Sequence, residues 1–277
     1  MIEEEKNFLT DWLLTRNISL TGIDPILLSD LTEKVVVKNN LRRYYRLSRF
    51  ERWYGGISTA YSCGCNLRCA FCFSGYPRDH PESTGRFYSP EEVAKALIEC
   101  AKKSTSEKLR VTGCEPTIGK EHLLNILELI SSTPYLFILE SNGILIGHDV
   151  GYARELSKFK NLYVRISLKG TNPQEFSMLT GAMPDAFSLQ LQSLKNLVDA
   201  GIQCRAAVML SFSPKENLAH LRKELNKIHP DLADNIEEEY VILYPPVVER
   251  LNKAGIRPLV GFKPGRNHRL TMHKIED

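Results

Sequence analysis

The apolar positions of this chain change period repeatedly between about residue 57 and its end. Ile57–Ser62 is a short β-type run. Ser89-Pro90-Glu91-Glu92 follows with the pattern of a capping box and proline at the first helical position. Val93, Ala96, Leu97 and Cys100 then recur at helical spacing. Lys108–Thr112 reads as a second strand ending at Gly113, and Leu123, Ile126, Leu127 and Ile130 form the next helical stripe. Tyr135–Leu139 is almost continuously apolar, as expected of a strand buried on both faces.

The alternation continues through a strand at Leu162–Leu168 and a stripe of Phe187, Leu191, Leu194 and Val198 that ends at Gly201, a natural helix stop. Ile202–Leu210 is the next strand, and Ser213-Pro214-Lys215-Glu216 opens another helix. Tyr240–Leu243 reads as the last strand and Pro245–Ala254 as the last helix. Repeated strand–helix units imply parallel strands joined by right-handed crossovers. Six units are counted here; a closed barrel has eight. The expected fold is therefore α/β: a partial (β/α)6 TIM-like barrel of parallel strands with an N-terminal, mostly helical extension. The expected boundaries are 1–55 for the extension, 56–245 for the barrel, and 246–277 for a C-terminal helix and basic tail.

Composition narrows the class. The 277 residues are 43% hydrophobic and 25% charged, in the range of an ordinary globular protein. The N-terminus, Met-Ile-Glu-Glu-Glu-Lys, is acidic and lacks the apolar core of a signal peptide. No stretch reaches the ~18 apolar residues of a membrane span. A cytoplasmic protein that makes no membrane contact is expected. Seven cysteines, four of them between Cys63 and Cys72, form an odd and clustered set. That argues against a secreted disulfide scaffold and for metal or redox chemistry in a reducing compartment.

Cys65, Cys69 and Cys72 follow the first strand with the spacing C-x3-C-x2-C. Three thiolates on one short loop suit an iron–sulfur cluster. A [4Fe–4S] cube held by three cysteines keeps one iron open, as a catalytic metal site requires. A structural zinc site would need a fourth ligand, for which Cys63 or His80 is near in sequence.

At these residues the chain resembles the radical S-adenosylmethionine (radical SAM) superfamily, in which an aromatic residue, here Phe71, precedes the last cysteine. The resemblance implies a partial (β/α)6 barrel and a [4Fe–4S] cluster whose open iron is chelated by the methionine moiety of S-adenosylmethionine (SAM). It also implies reductive cleavage of SAM to a 5′-deoxyadenosyl radical, which abstracts hydrogen from a substrate. The electron would come from a one-electron reductant of flavodoxin or ferredoxin type. The cofactor carries the chemistry and the protein positions the partners.

Further motifs extend the likeness. Gly113-Cys114-Glu115-Pro116 resembles the family's Gly-Gly-Glu-Pro, with Cys114 in place of the second glycine. In the family this strand end binds the SAM ammonium through backbone carbonyls and the glutamate, acceptors that suit a cation. The next strand ends are Glu140-Ser141-Asn142-Gly143 and Ser167-Leu168-Lys169-Gly170. By resemblance, Ser167 lies near the ribose or methionine end and Lys169 on the methionine carboxylate; Asn142 is a cofactor contact, or Asn142-Gly143 is only a turn. Ala206–Leu210 would lie against the adenine. These segments, with Leu179-Thr180-Gly181 further on, are closest in style to glycyl-radical-enzyme activases. That group carries aspartates where this chain has Glu140 and Ser167. The resemblance covers roughly residues 57–245.

Cys100 and Cys204 read as buried structural thiols and Cys63 as a bystander. The net charge of +3 conceals two basic segments, 38–52 and 250–277, each of net +5. The first is interleaved with Tyr44, Tyr45 and Phe50. Such a segment either grips phosphates and bases or forms one solvated helix face. The substrate class therefore stays open between an anionic molecule (RNA or a phosphorylated metabolite) and a protein. The competing class is a zinc- or RNA-binding module without turnover.

Overall fold

A computed structural model describes residues 22–264 and 270–274, with side chains described through Pro264. A helix, α1 (Pro25–Val36), is capped by the Asp24 carboxylate and leads into β1 (Val37–Lys38) and the long strand β2 (Leu41–Glu51). β3 (Ile57–Ser62) opens the barrel. A loop, the short helix α2 (Gly75–Asp79) and β4 (Arg86–Tyr88) then lead to α3 (Pro90–Ser104). The capping box read from the sequence is present in α3: Ser89 and Glu92 bond each other's backbone N–H.

Strands and helices alternate from there. β5 (Lys108–Gly113) precedes α4 (Lys120–Ser131). β6 (Leu136–Ser141) precedes α5 (Ile144–His148) and α6 (Val150–Leu156). β7 (Leu162–Leu168) precedes α7 (Pro173–Thr180) and α8 (Phe187–Asp199). β8 (Cys204–Met209) precedes α9 (Lys215–Ile228) and α10 (Pro230–Asp234). β9 (Glu237–Glu239), β10 (Val241–Ile242), α11 (Pro245–Lys253), β11 (Val260–Pro264) and β12 (Leu270–Lys274) complete the described chain.

Six strands, β3-β5-β6-β7-β8-β9, run parallel in that order, and β2 lies antiparallel on the β3 edge. Among the described residues no strand joins β9 back to β3, so the barrel is partial. Alternate residues divide the work. Leu109, Val111, Phe137, Leu139, Val164 and Ile166 belong to one large apolar core shared with the helices. Their neighbours Arg110, Glu140, Arg165, Glu237 and Glu239 bond one another along the opposite face, the barrel interior.

The expected class stands, and three details differ. Leu41–Glu51 of the N-terminal extension is a strand, not helix. Its inward-facing Arg42 and Tyr44 mix a cation into what would otherwise be a strand alternation. The sixth barrel strand is Glu237–Glu239, not Tyr240–Leu243. Val241–Ile242 instead pairs with β11 in a small second sheet that also holds β12. That sheet takes up part of the stretch expected to be a tail. Residues 265–269 and 275–277 of that expected tail, and 1–21 of the expected extension, lie outside the described residues.

Candidate functional site

The loop that follows β3 carries Cys65, Cys69 and Cys72 at the C-terminal end of the sheet, where barrels of this kind keep their chemistry. The loop is held from several sides. From α1, Thr32 donates to the Cys65 carbonyl (3.5 Å), and Ser29 accepts from the Asn66 amide (2.9 Å). The backbone N–H of Arg68 donates to Thr180 O, and that of Ala70 to Leu179 O, both at 2.9 Å. Gly64 adopts φ +79°, and a Cβ there would sit 2.6 Å from Thr32 Cγ2, so only glycine lets α1 come this close. Phe71 stacks on Phe212 with ring centroids 5.6 Å apart.

Burial raises two thiols of this loop. The Cys65 thiol is pushed up to about 12 by burial, then by Glu115 and Cys69. The Cys69 thiol is pushed up to about 11 by burial, against the opposing charge of Lys169. Such thiols stay protonated at neutral pH and lose their protons only to a metal. Among the described residues no three His, Cys, Asp or Glu side chains converge as a single ion would need. His80, the alternative zinc ligand, stacks on Tyr76 and faces Glu82. Three thiols spread along a loop suit a polynuclear cluster, in which each cysteine holds a different iron. Spare donors are buried there too. Arg68 Nε and Nη2, and Arg250 Nε, have no hydrogen-bond partner. Burial, then the nearby Arg78, pulls Arg68 below its ordinary value, which marks a cation short of an anion. The donor set therefore fits an iron–sulfur cluster.

The expected SAM-binding residues gather around this loop. Gly113 takes φ +93°, with Tyr45 and the Ser62 carbonyl where a side chain would go. Cys114 donates its N–H to Ser62 O (3.2 Å). Its thiol is raised by burial, then by Cys65 and Cys72, so it lies close to the three-cysteine loop. The Glu115 carboxylate is 3% exposed and fully engaged by protein donors. Oε1 accepts from Thr117 (2.6 Å) and Ser141 (2.8 Å), and Oε2 from the Asn142 N–H (2.8 Å). Glu115 thus ties the β5 and β6 ends together. The Asn142 side-chain amide donates to Asn66 Oδ1 at 2.7 Å and lies 3.9 Å from the Cys65 sulfur.

Lys169 extends across the β7 end. Its Nζ lies 2.5 Å from Ser167 Oγ and 6.0 Å from the Phe71 ring centroid. Ser167 Oγ donates to Glu239 (2.8 Å), which also accepts from Arg165 (2.8 Å). Burial raises Glu239, but Arg165 and then Lys169 hold it down at about 2. In the expected adenine strand, Ala206, Ala207, Val208 and Met209 are all buried.

Sequence reasoning missed several residues. Gln190 is fully buried on α8. Its Nε2 donates to the carbonyls of Asn142 (2.6 Å) and Ser167 (3.1 Å), while its Oε1 accepts from the Lys169 N–H (3.1 Å). Its only sequence signal is a polar residue three positions after Phe187 on a core-facing stripe. Glu239 and the arginines Arg68, Arg78 and Arg250 carried no motif at all. Cys63 is buried and donates to Thr84 O. Cys100 and Cys204 are only partly buried.

Within the basic segment 38–52, Arg42 and Tyr44 are buried, while Lys38, Arg46 and Arg49 are exposed. Arg42 is buried and donates to the Glu115 carbonyl (3.0 Å). Arg43 lies over Phe87 and reaches the Thr84 carbonyl.

A family model for the Radical SAM superfamily matches residues 59–228. A GTP 3',8-cyclase of Haemophilus ducreyi is 31% identical over 139 residues, 49% of this chain and 38% of that protein. A GTP 3',8-cyclase of Actinobacillus succinogenes is 25% identical over 190 residues, 66% of this chain and 53% of that protein. The matches thus span about half or less of those relatives. A cysteine-to-alanine mutant of spore photoproduct lyase, with dinucleoside spore photoproduct, gives a TM-score of 0.58 at 13% identity, covering 99% of this chain and 86% of that one. Streptococcus suis SuiB bound to precursor peptide SuiA gives 0.51 at 20% identity, covering 61% and 36%. Both likenesses speak for the fold.

Proposed function

The chain belongs to the radical SAM superfamily, enzymes that use a [4Fe–4S] cluster and SAM, and from that premise we propose the roles of its own residues. Cys65, Cys69 and Cys72 are the three cluster ligands, which leaves one iron for the methionine moiety. When bound, the cluster would supply, from an external one-electron donor, the electron for reductive cleavage of SAM. The carbonyls at Gly113 and Cys114 accept from the SAM ammonium, and Glu115 fixes the strand ends that present them. Lys169 pairs with the methionine carboxylate. Ser167, oriented by Glu239, faces the ribose, and Asn142 lies beside the Cys65 sulfur. Phe71 shields the loop together with Phe212.

The observation that supports this reading is the gathering of three strand ends on one three-cysteine loop. Asn142 lies 3.9 Å from Cys65, and Lys169 reaches the Phe71 face. The test is anaerobic reconstitution with iron and sulfide, followed by dithionite and SAM. About four irons per chain and dithionite-dependent 5′-deoxyadenosine are expected. A folded chain that yields neither rejects the reading.

For the substrate, the reading favours an anionic molecule of the nucleotide class. Its support is that the curated relatives above are named GTP 3',8-cyclase. Stimulation of 5′-deoxyadenosine release by GTP or another nucleotide is expected. Stimulation by peptides alone would move the substrate to protein while leaving the cluster roles standing. A flavodoxin- or ferredoxin-type protein is the proposed electron donor. A reducing compartment such as the cytoplasm is the proposed setting, in keeping with seven free cysteines. Among the described residues no helix is long and apolar enough to cross a membrane.

A further inference from the structure

Each of the three loop cysteines offers its backbone carbonyl to a different arginine. Arg68 Nη1 donates to Cys65 O at 2.7 Å. Arg78 Nη1 donates to Cys69 O at 2.6 Å. Arg250 Nη2 donates to Cys72 O. The three come from different places: the loop itself, α2 and α11. Gly75 at the start of α2 lacks the Cβ that would collide with the Arg250 guanidinium. The side chains of Arg68 and Arg78 are 8% and 6% exposed. One carboxylate, Asp79, bonds Arg78 at 2.6 Å and stands 3.6 Å from Arg68. Three cations around one acid leave this loop with an excess of positive charge, most of it buried at Arg68 and Arg78, and Arg68 and Arg250 keep unused donors.

Burying such charge is costly unless an anion shares the site. We propose that Arg68, Arg78 and Arg250 form an electrostatic collar that raises the reduction potential of the cluster held by Cys65, Cys69 and Cys72. The proposal rests on the ligand assignment above. A cube under three thiolates is a net anion, and its negative charge grows by one unit when it accepts an electron from an external one-electron donor. Nearby cations favour that reduced form, because cluster potentials follow local charge, hydrogen bonding and solvent exposure. Arg250 lies on α11, so this C-terminal helix, beyond the strands of the barrel, also helps set the cluster's readiness to take an electron. The arginines are positioning residues, since they act through the loop that carries the ligands.

The competing explanation is that the arginines merely satisfy carbonyls in a loop without regular structure. A redox titration of the reconstituted full chain, with dithionite and mediators and followed by electron paramagnetic resonance, separates the two. Arg68→Gln, Arg78→Gln and Arg250→Gln each keep a donor and lose the charge; Arg250→Lys keeps both. At a fixed applied potential, each glutamine variant that holds iron is expected to show about a tenfold lower reduced-to-oxidised ratio, ~59 mV for a one-electron couple. Arg250→Lys is expected to stay near the parent. Unshifted potentials in glutamine variants with full iron content overturn the collar, as does a lysine variant that shifts as far as glutamine. A parent chain that takes up no iron overturns the ligand assignment itself.

Discussion

The cysteine loop and the barrel interior both bury charge, and they treat it in opposite ways. Along the barrel strands β5 to β9 each buried arginine has its anion. Arg110 bonds Glu140 at 2.7 Å, and Arg165 bonds both Glu237 and Glu239 at 2.8 Å. Thr112 and Tyr54 complete the shell around Glu140. In the loop, three arginines face the one carboxylate of Asp79, and Arg68 and Arg250 keep donors without partners. The paired charges help hold the strands together; the unpaired donors of the loop are consistent with the proposed cluster.

Substitutions can break that contrast from either side. The largest functional effect is expected from Cys72→Ala: iron and 5′-deoxyadenosine both fall below detection, while urea unfolding of the apoprotein moves by less than ~1 kcal/mol. The reverse is expected in the interior. Arg165→Ala leaves Glu237 and Glu239 facing each other without their cation, which should cost ~3 kcal/mol in urea unfolding. Iron binding per folded chain should persist. If Cys72→Ala unfolds the protein as severely as Arg165→Ala, the contrast between the regions is wrong.

Gly64→Ala tests how tightly α1 braces the loop. The new Cβ meets Thr32 and Val36 on a backbone with φ +79°. A loss of ~2 kcal/mol is expected, with reduced iron retention on gel filtration. A smaller effect is expected from acid. Glu239 titrates at about 2 when folded and at ~4.3 when unfolded. Its folded value is depressed, so its contribution is present above pH ~4 and is lost as pH falls toward 2. Urea midpoints measured across that window should fall less steeply in Glu239→Gln than in the parent.

Much of the barrel was legible because its core faces are apolar. Leu109, Val111, Phe137 and Leu139 mark their strands without help. Two strands misread in the sequence have charged inward faces. Glu237–Glu239 carries only acids and is a strand because Arg165 answers two of them. β2 turns Arg42 inward, where it holds the Glu115 carbonyl. The site divides the same way. Cysteine spacing and strand-end motifs singled out Cys65, Gly113, Asn142 and Lys169, which the structure brings to one end of the sheet. Contacts to backbone carbonyls, such as those of Gln190 and the three arginines, leave no spacing to find.

The most direct test of the account is electron paramagnetic resonance of the reduced, reconstituted protein with and without SAM. An open iron beside three cysteine ligands predicts that SAM changes the cluster spectrum, and that Lys169→Ala requires more SAM for the same change. A reduced cluster whose spectrum ignores saturating SAM would contradict the account.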